Sequence, residues 1–375
     1  MEKIEKLSIP HDARIMVISD IHGELNLLKE LLHKVNVKDE DYLIINGDLC
    51  EKGKDSIGVV NYVMNLVKNN SNVRVVEGNC EVLVDALLNE NPGLINYLCT
   101  RKHSIFNEWL EQLDFLIHEE TSIREVKEAL LAQFSKEIHW LTALPTAIET
   151  EDYIFVHAGL EDRVDWKETE RKKAIAMPEF FNKSHRANKY VVVGHWPVVN
   201  YSEKAPSNNP VINREKKIIA IDGGNAIKEA GQLNAFIIQR TSAGDTFSYT
   251  YVDYFPEYEV IADFNADSKM QGGVTYPYYY IEPVEKMQDY TICQQKETNQ
   301  LLTVKNEYIK QLESGEYTVK TDISCAQVSV RQGDIVSLID GSCTGYDLIK
   351  KDGVEGWIEK GILLEMNKKK SNILS

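Results

Sequence analysis

Short apolar runs alternate with amphipathic stretches over the first 80 residues. Arg14–Ser19 (RIMVIS), Tyr42–Asn46 (YLIIN) and Val73–Val76 are apolar with little alternation, the pattern of strands covered on both faces. Between them, Glu24–Val35 repeats leucine at helical spacing, and Ser56–Val67 does the same with valine and leucine. The order βαβαβ predicts a largely parallel sheet with covering helices. Residues 81–141 read as helical throughout, and strands return at Tyr153–His157, Tyr190–Val193, Lys217–Ile221, Leu233–Gln239 and Phe247–Tyr254. Asp263–Pro283 is rich in Gly, Pro and Tyr without a period and reads as a connection, followed by a helix near Asn299–Leu312. Further on, Asp352-Gly353 between YDLIKK and VEGWIEKGIL marks a β-hairpin. The expected organisation is an α/β domain over 1–262 with a helical insertion at 82–141, a connecting segment at 263–312, and a small β-barrel at 313–375. Lys368–Lys370 reads as a solvated tail.

Composition narrows the classes. The 375 residues suit two or three domains. The formal net charge is −16, of which −14 falls in residues 1–283. That charge argues against a long nucleic acid as partner, which needs a positive field. No run of about 18 apolar residues occurs, so no membrane span is expected. The first residues lack the apolar core of a secretory signal. Cys50, Cys80, Cys99, Cys293, Cys325 and Cys343 contain no CxxC pair and read as free thiols in a reducing cytoplasm.

Candidate chemistry collects at the ends of the predicted strands. Ser19-Asp20-Ile21-His22-Gly23, Gly47-Asp48, Gly78-Asn79-Cys80-Glu81, His157-Ala158-Gly159-Leu160 and Gly194-His195-Trp196-Pro197 each place Asp, Asn or His just beyond a strand's carboxyl end. Open α/β sheets bind ligands at that edge. Singly, a Gly-Asp or a strand-end His is an ordinary structural residue; five such motifs in order are not. Asp20, His22, Asp48, Asn79, His157 and His195 form a mixed N/O donor set that suits manganese, iron or zinc better than calcium. Six donors serve two metals if one carboxylate bridges, and a two-metal site clamps both oxygens of a phosphoryl transfer. His11, His33, His103, His118, His139 and His185 lie outside the motifs and read as structural.

These motifs make residues 12–255 resemble the calcineurin-like metallophosphoesterases, most closely the phosphoprotein-phosphatase type that includes bacterial serine/threonine phosphatases and dinucleoside tetraphosphatases. Trp140-Leu141-Thr142-Ala143-Leu144-Pro145 and Ile221-Asp222-Gly223-Gly224 followed by Gln232-Leu233 add to the likeness. The resemblance implies a four-layer α/β/β/α sandwich. It also implies two divalent metals, manganese foremost, with iron or zinc as alternatives. Asp20 and His22 would hold the first, Asp48 would bridge, and Asn79, His157 and His195 would hold the second. Attack of a metal-bridging hydroxide would then hydrolyse a phosphate ester.

The chain departs from the family at three places. Cys80 stands where the family usually has the general-acid His. Glu51 and Lys52 stand where it has the Asp that supports this His and a phosphate-binding Arg. Met177, before Glu179-Phe180, stands near where bacterial members carry another Arg. Cys80 and Glu51 would replace the usual His–Asp pair, and Lys52 keeps a charge while losing the bidentate fork of Arg. The primary expectation is a phosphomonoesterase acting on phosphorylated protein or a small phosphoester. The alternatives are a phosphodiesterase or nucleotide pyrophosphohydrolase, whose leaving groups need less acid help, and a non-enzymatic scaffold. Gly333-Asp334-Ile335-Val336 and Gly356-Trp357-Ile358 faintly resemble bacterial SH3-like barrels, which implies a module for a peptide or protein partner, or a packing domain.

Overall fold

The computed structural model describes residue 1 and residues 3–366, so the Lys368–Lys370 tail lies outside the described residues. The chain divides into two compact units. The first comprises Met1–Val198, Pro210–Ile227 and Gly231–Asp253.

Two sheets form its centre. One orders Thr246–Val252, Leu233–Gln239, Arg14–Ile18, Tyr42–Asn46 and Val73–Val76, the last three parallel. The other orders Ile4–Lys6, Ala147–Glu149, Tyr153–Val156, Tyr190–Val193, Ile218–Ala220 and Val211–Asn213. The strands read as apolar runs because both of their faces are covered. Ile15, Val17, Ile44 and Val76 pack with Phe155, Val192 and Ile219 between the sheets. Met16, Ile18, Leu43 and Ile45 point the other way, into a core shared with the helices. There Leu25–Lys34 contributes Leu27, Leu28, Leu31 and Leu32, and Ser56–Asn69 contributes Val59, Val60 and Val63. Asp55 caps the second of these helices by accepting from Gly58 N at 2.9 Å.

The predicted helical stretch is four helices, Leu83–Leu88, Gly93–Thr100, Ile105–Gln112 and Ile123–Ala143, separated by turns. The last is kinked at Phe134, whose ring stacks on Trp109 at 5.2 Å. Among the described residues, no helix is long and apolar enough to cross a membrane.

The second unit comprises Val199–Asn209, Lys228–Ala230 and the described part of Tyr254–Ser375. It holds two five-stranded antiparallel sheets. One orders Leu301–Lys305, Tyr290–Gln295, Tyr280–Lys286, Tyr317–Val319 and Ile309–Gln311. The other orders Val354–Glu359, Tyr346–Lys351, Ile335–Asp340, Glu257–Val260 and Leu363–Glu365.

The structure departs from the expected organisation in three places. The helix near Asn299–Leu312 is instead two strands joined by a single 3-10 turn. Leu301 is exposed while Leu302 and Val304 are buried, which is the two-residue period of a strand. The segment 263–312, read as a connection, supplies four strands of these sheets and part of a further two-stranded pair, Gly273–Val274 with Ile323–Ser324. The antiparallel region is not a barrel confined to 313–375, because Glu257–Val260 fills the gap between Ile335–Asp340 and Leu363–Glu365. The hairpin at Asp352-Gly353 forms, with both residues at positive φ (51° and 76°) as its two-residue turn requires.

Candidate metal centre

The five motifs converge at one edge of the first unit. Asp20 and His22 follow the strand ending at Ile18, Asp48 follows Tyr42–Asn46, Asn79 follows Val73–Val76, and His157 and His195 follow the strands ending at Val156 and Val193. Asp20, His22, Asp48 and His195 all adopt left-handed backbone conformations, with φ between 50° and 66°. Each costs roughly 1–3 kcal/mol, a strain that folded proteins concentrate at functional sites. Two glycines let the loops close. At Gly47 (φ 87°) a Cβ would sit 2.6 Å from His157 Nδ1, and at Gly194 it would collide with an Asp20 carboxylate oxygen.

Asp48 lies at the middle. His157 Nε2 is 3.4 Å from its Oδ1 and His22 Nε2 is 3.7 Å from its Oδ2. His22 Nε2 is also 3.9 Å from Asp20 Oδ1. The other ring nitrogens face backbone carbonyls, His157 Nδ1 at 2.9 Å from Asn46 O and His22 Nδ1 at 3.3 Å from Cys50 O. With Nδ1 donating to a carbonyl, each Nε2 presents its lone pair to the carboxylates, the tautomer a metal ligand needs. Asn79 Oδ1 lies 3.2 Å from His157 Nε2, and the His195 ring meets the His157 ring edge-on at 5.2 Å. The His195 backbone N–H donates to Asp20 Oδ2 at 3.1 Å.

The electrostatics favour added cations. Burial and the neighbouring Asp48 push Asp20 up to about 8. Burial pushes Asp222, beside Asp20, well above its usual range. Burial also raises Asp48, but Lys52 and the Cys80 backbone N–H, with His157 and His22 whenever those rings are protonated, outweigh it and hold that carboxyl well below normal. Burial lowers His22 to about 3 and His195 to about 4, which keeps both imidazoles neutral. The buried His22 Nε2 has no hydrogen-bond partner. Converging carboxylates, neutral imidazoles and an orphaned lone pair fit divalent metal ions. Among the described residues, two groups of His, Cys, Asp and Glu donors lie within 4.8 Å of one another, His22–Asp48–Cys80 and Asp20–Asp48–His157, and Asp48 belongs to both. These groups set Asp20 near His157 and place the Cys80 thiol among the donors.

The expected Cys80–Glu51 pair does not form. Glu51 turns into the helical insertion, accepting from Tyr97 Oη at 2.7 Å, Ser104 Oγ at 2.8 Å and Ile105 N at 3.0 Å. The Cys80 thiol donates to Asp48 Oδ2 at 3.1 Å, and burial raises its pKa well above normal. Glu51 therefore anchors the loop, and both Glu51 and Lys52 adopt positive φ (71° and 70°). Lys52 is exposed. Burial lowers its pKa, but Cys80, Asp48, Asp20 and Asp222 outweigh that and hold the ammonium charged. Met177 is buried, and the nearby Arg171 is committed to Glu77 and Asp85.

Sequence reasoning passed over two positioning residues. Glu81 accepts from the backbone N–H groups of Gly78 (2.7 Å), Leu49 (2.8 Å) and Asp48 (2.9 Å), and so ties two motif loops together. Its place beside Asn79 and Cys80 was the available signal. Asn225 donates to Ile21 O at 2.9 Å and steadies the Asp20 loop from the position directly after Ile221-Asp222-Gly223-Gly224.

A family model for calcineurin-like phosphoesterase matches residues 13–222. The chain is 25% identical over 214 residues to the asymmetrical bis(5'-nucleosyl)-tetraphosphatase PrpE of Oceanobacillus iheyensis, covering 50% of this chain and 78% of that protein. It is 36% identical over 98 residues to the symmetrical bis(5'-nucleosyl)-tetraphosphatase of Buchnera aphidicola subsp. Acyrthosiphon pisum, a match spanning 26% of this chain and 32% of that protein. A solved protein serine/threonine phosphatase of Saccharomyces cerevisiae is similar over 68% of this chain and 85% of its own, with a TM-score of 0.39 and 14% identity.

Proposed function

The chain belongs to the calcineurin-like phosphoesterase family and is a hydrolase of phosphate esters, and from that premise we propose that its substrate is a nucleoside polyphosphate cleaved at a phosphoanhydride bond. Cys80 carries this reading. Its thiol donates to Asp48 Oδ2 at 3.1 Å where the family has an imidazole, and Glu51 is committed elsewhere. A thiol, with an ordinary pKa near 8.5, gives little proton assistance to an alkoxide such as that of serine. A nucleoside phosphate leaves as a weak base and needs little. The relatives named as bis(5'-nucleosyl)-tetraphosphatases support the same choice.

Asp20, His22, Asp48, Asn79, His157 and His195 would hold two divalent ions, manganese foremost, with iron or zinc suited to the same donors and Cys80 within reach as a further one. When bound, such ions supply an activated water and electrophilic stabilisation of the phosphoryl oxygens. The chain's own groups do the rest. Lys52 neutralises a phosphoryl oxygen as a point charge. The Asn46 and Cys50 carbonyls keep the protons of His157 and His22 on Nδ1. Asn79 places its amide beside the phosphate.

The test is a comparison of hydrolysis rates with Mn²⁺ for diadenosine tetraphosphate, bis-p-nitrophenyl phosphate, p-nitrophenyl phosphate and a phosphoserine peptide. Preference for the tetraphosphate supports the proposal. Preference for the phosphopeptide and monoester would replace it with the phosphoprotein-type phosphomonoesterase. Silence on all four with metal bound would favour a scaffold.

A further inference from the structure

The first unit carries a cavity of about 610 Å³ at the ends of its strands opposite the metal centre. His157 and His195 follow the carboxyl ends of Tyr153–Val156 and Tyr190–Val193, whereas Tyr153 and Tyr190, which open those strands, line the cavity. The length of the strands, about 13 Å at 3.3 Å per residue, separates the two places. They share no residue.

We propose that this cavity binds a mononucleotide, with its base against an aromatic wall and its phosphate on Arg214 and Lys217. The wall presents Tyr190 and Phe247, edge-on to one another at 5.5 Å, with the buried Tyr153 stacked behind Tyr190 at 5.9 Å. The Arg214 guanidinium lies over Phe247 at 5.3 Å and pairs with no carboxylate among the described residues. Lys217 Nζ donates to the neutral amide of Asn188 at 2.8 Å. The acids of the cavity are already engaged. Asp152 pairs with Arg240, and Asp245 accepts from Tyr153 Oη at 2.6 Å. Two cations without acidic partners beside an aromatic face select a ring-bearing anion.

The site is built from within. Arg240 is 2% exposed, donates from Nη1 to Ile9 O at 2.7 Å, and lines the cavity. Its Nε is buried without a hydrogen-bond partner, 3.7 Å from Asp245 Oδ2. Arg240 thus holds Asp245 and Asp152 to the wall, which leaves Arg214 and Lys217 as the cations free to meet an anion. The volume falls in the range of small-molecule sites, roughly 300–1,000 Å³. The net charge of −16 works against a longer nucleic acid reaching the same place.

The inference does not rest on the reading of the metal centre, and its test keeps the two apart. ADP, ribose 5-phosphate and inorganic phosphate are titrated calorimetrically into the full chain in EDTA, so that no turnover occurs. ADP is expected to bind at one site, at least about tenfold tighter than either fragment. R214A/K217A is expected to weaken ADP at least about tenfold while leaving Mn²⁺-dependent p-nitrophenyl phosphate hydrolysis unchanged, which also reports its folding. F247L is expected to weaken ADP without weakening phosphate. Undiminished ADP binding by R214A/K217A overturns the proposal, as does phosphate binding as tightly as ADP. Loss of ADP binding in D48N would overturn it too, by placing the nucleotide at the metal centre.

Discussion

Glu81 Oε2 accepts the backbone N–H of Asp48 at 2.9 Å, so the central carboxylate of the site is held in its left-handed conformation by another carboxylate. The same side chain also accepts from Leu49 and Gly78. Glutamine keeps only one acceptor oxygen for these three donors. E81Q should destabilise the fold by roughly 2 kcal/mol, the scale of hydrogen bonds to a charged group. It should also lower metal affinity. Urea unfolding and metal titration check this, and a variant matching wild type in both would remove Glu81 as a positioning residue.

Asp48 is shared by both donor groups. D48N should therefore lose metal at both places and reduce turnover by about 10³-fold or more, the scale of removing a central electrostatic stabiliser. Metal content by elemental analysis is read beside activity. Wild-type turnover with Mn²⁺ would sink the two-metal reading.

The thiol of Cys80 is expected to assist little. C80A should slow hydrolysis of a substrate that releases ADP by less than about tenfold, where loss of a working general acid costs 10²–10⁴. A drop in the larger range, measured as kcat at saturating Mn²⁺, would restore Cys80 to the role of acid.

Glu355 in the second unit is buried, accepting from Asn208 Nδ2 at 2.5 Å, and burial raises it to about 7 despite Lys350 and Asn208. A carboxyl whose folded pKa lies above its unfolded value near 4.5 contributes stability that is fully present below that value. The contribution is lost as pH rises through about 7. Between those limits the wild type should lose about 3 kcal/mol relative to E355Q, whose stability carries no such titration. Unfolding at several pH values tests it, and parallel curves would contradict it.

Some of this was legible along the chain. A strand buried on both faces writes itself as an unbroken apolar run, and RIMVIS and YLIIN are such runs. The motifs were legible because each follows its strand within a few residues, so local order predicts where the side chain emerges. The strands of 301–311 read as a helix because a short apolar cluster fits either period. Lys305, buried 4.9 Å from the Tyr290 ring and 5.5 Å from that of Tyr346, masked the alternation by placing a charge in a core.

The sequence by itself determined the donor types, their order at strand ends and the substitution of Cys80 for an imidazole, since these are local. Only the tertiary structure decided what each polar group faces. Glu51 lies one residue from Lys52, yet its carboxylate belongs to Tyr97 and Ser104, some fifty residues away. Arg214, Phe247 and Arg240 come from separate segments and share one cavity. Hydrogen bonds and ion pairs act over about 3–4 Å of space, and the distance along the chain between partners is set by the fold.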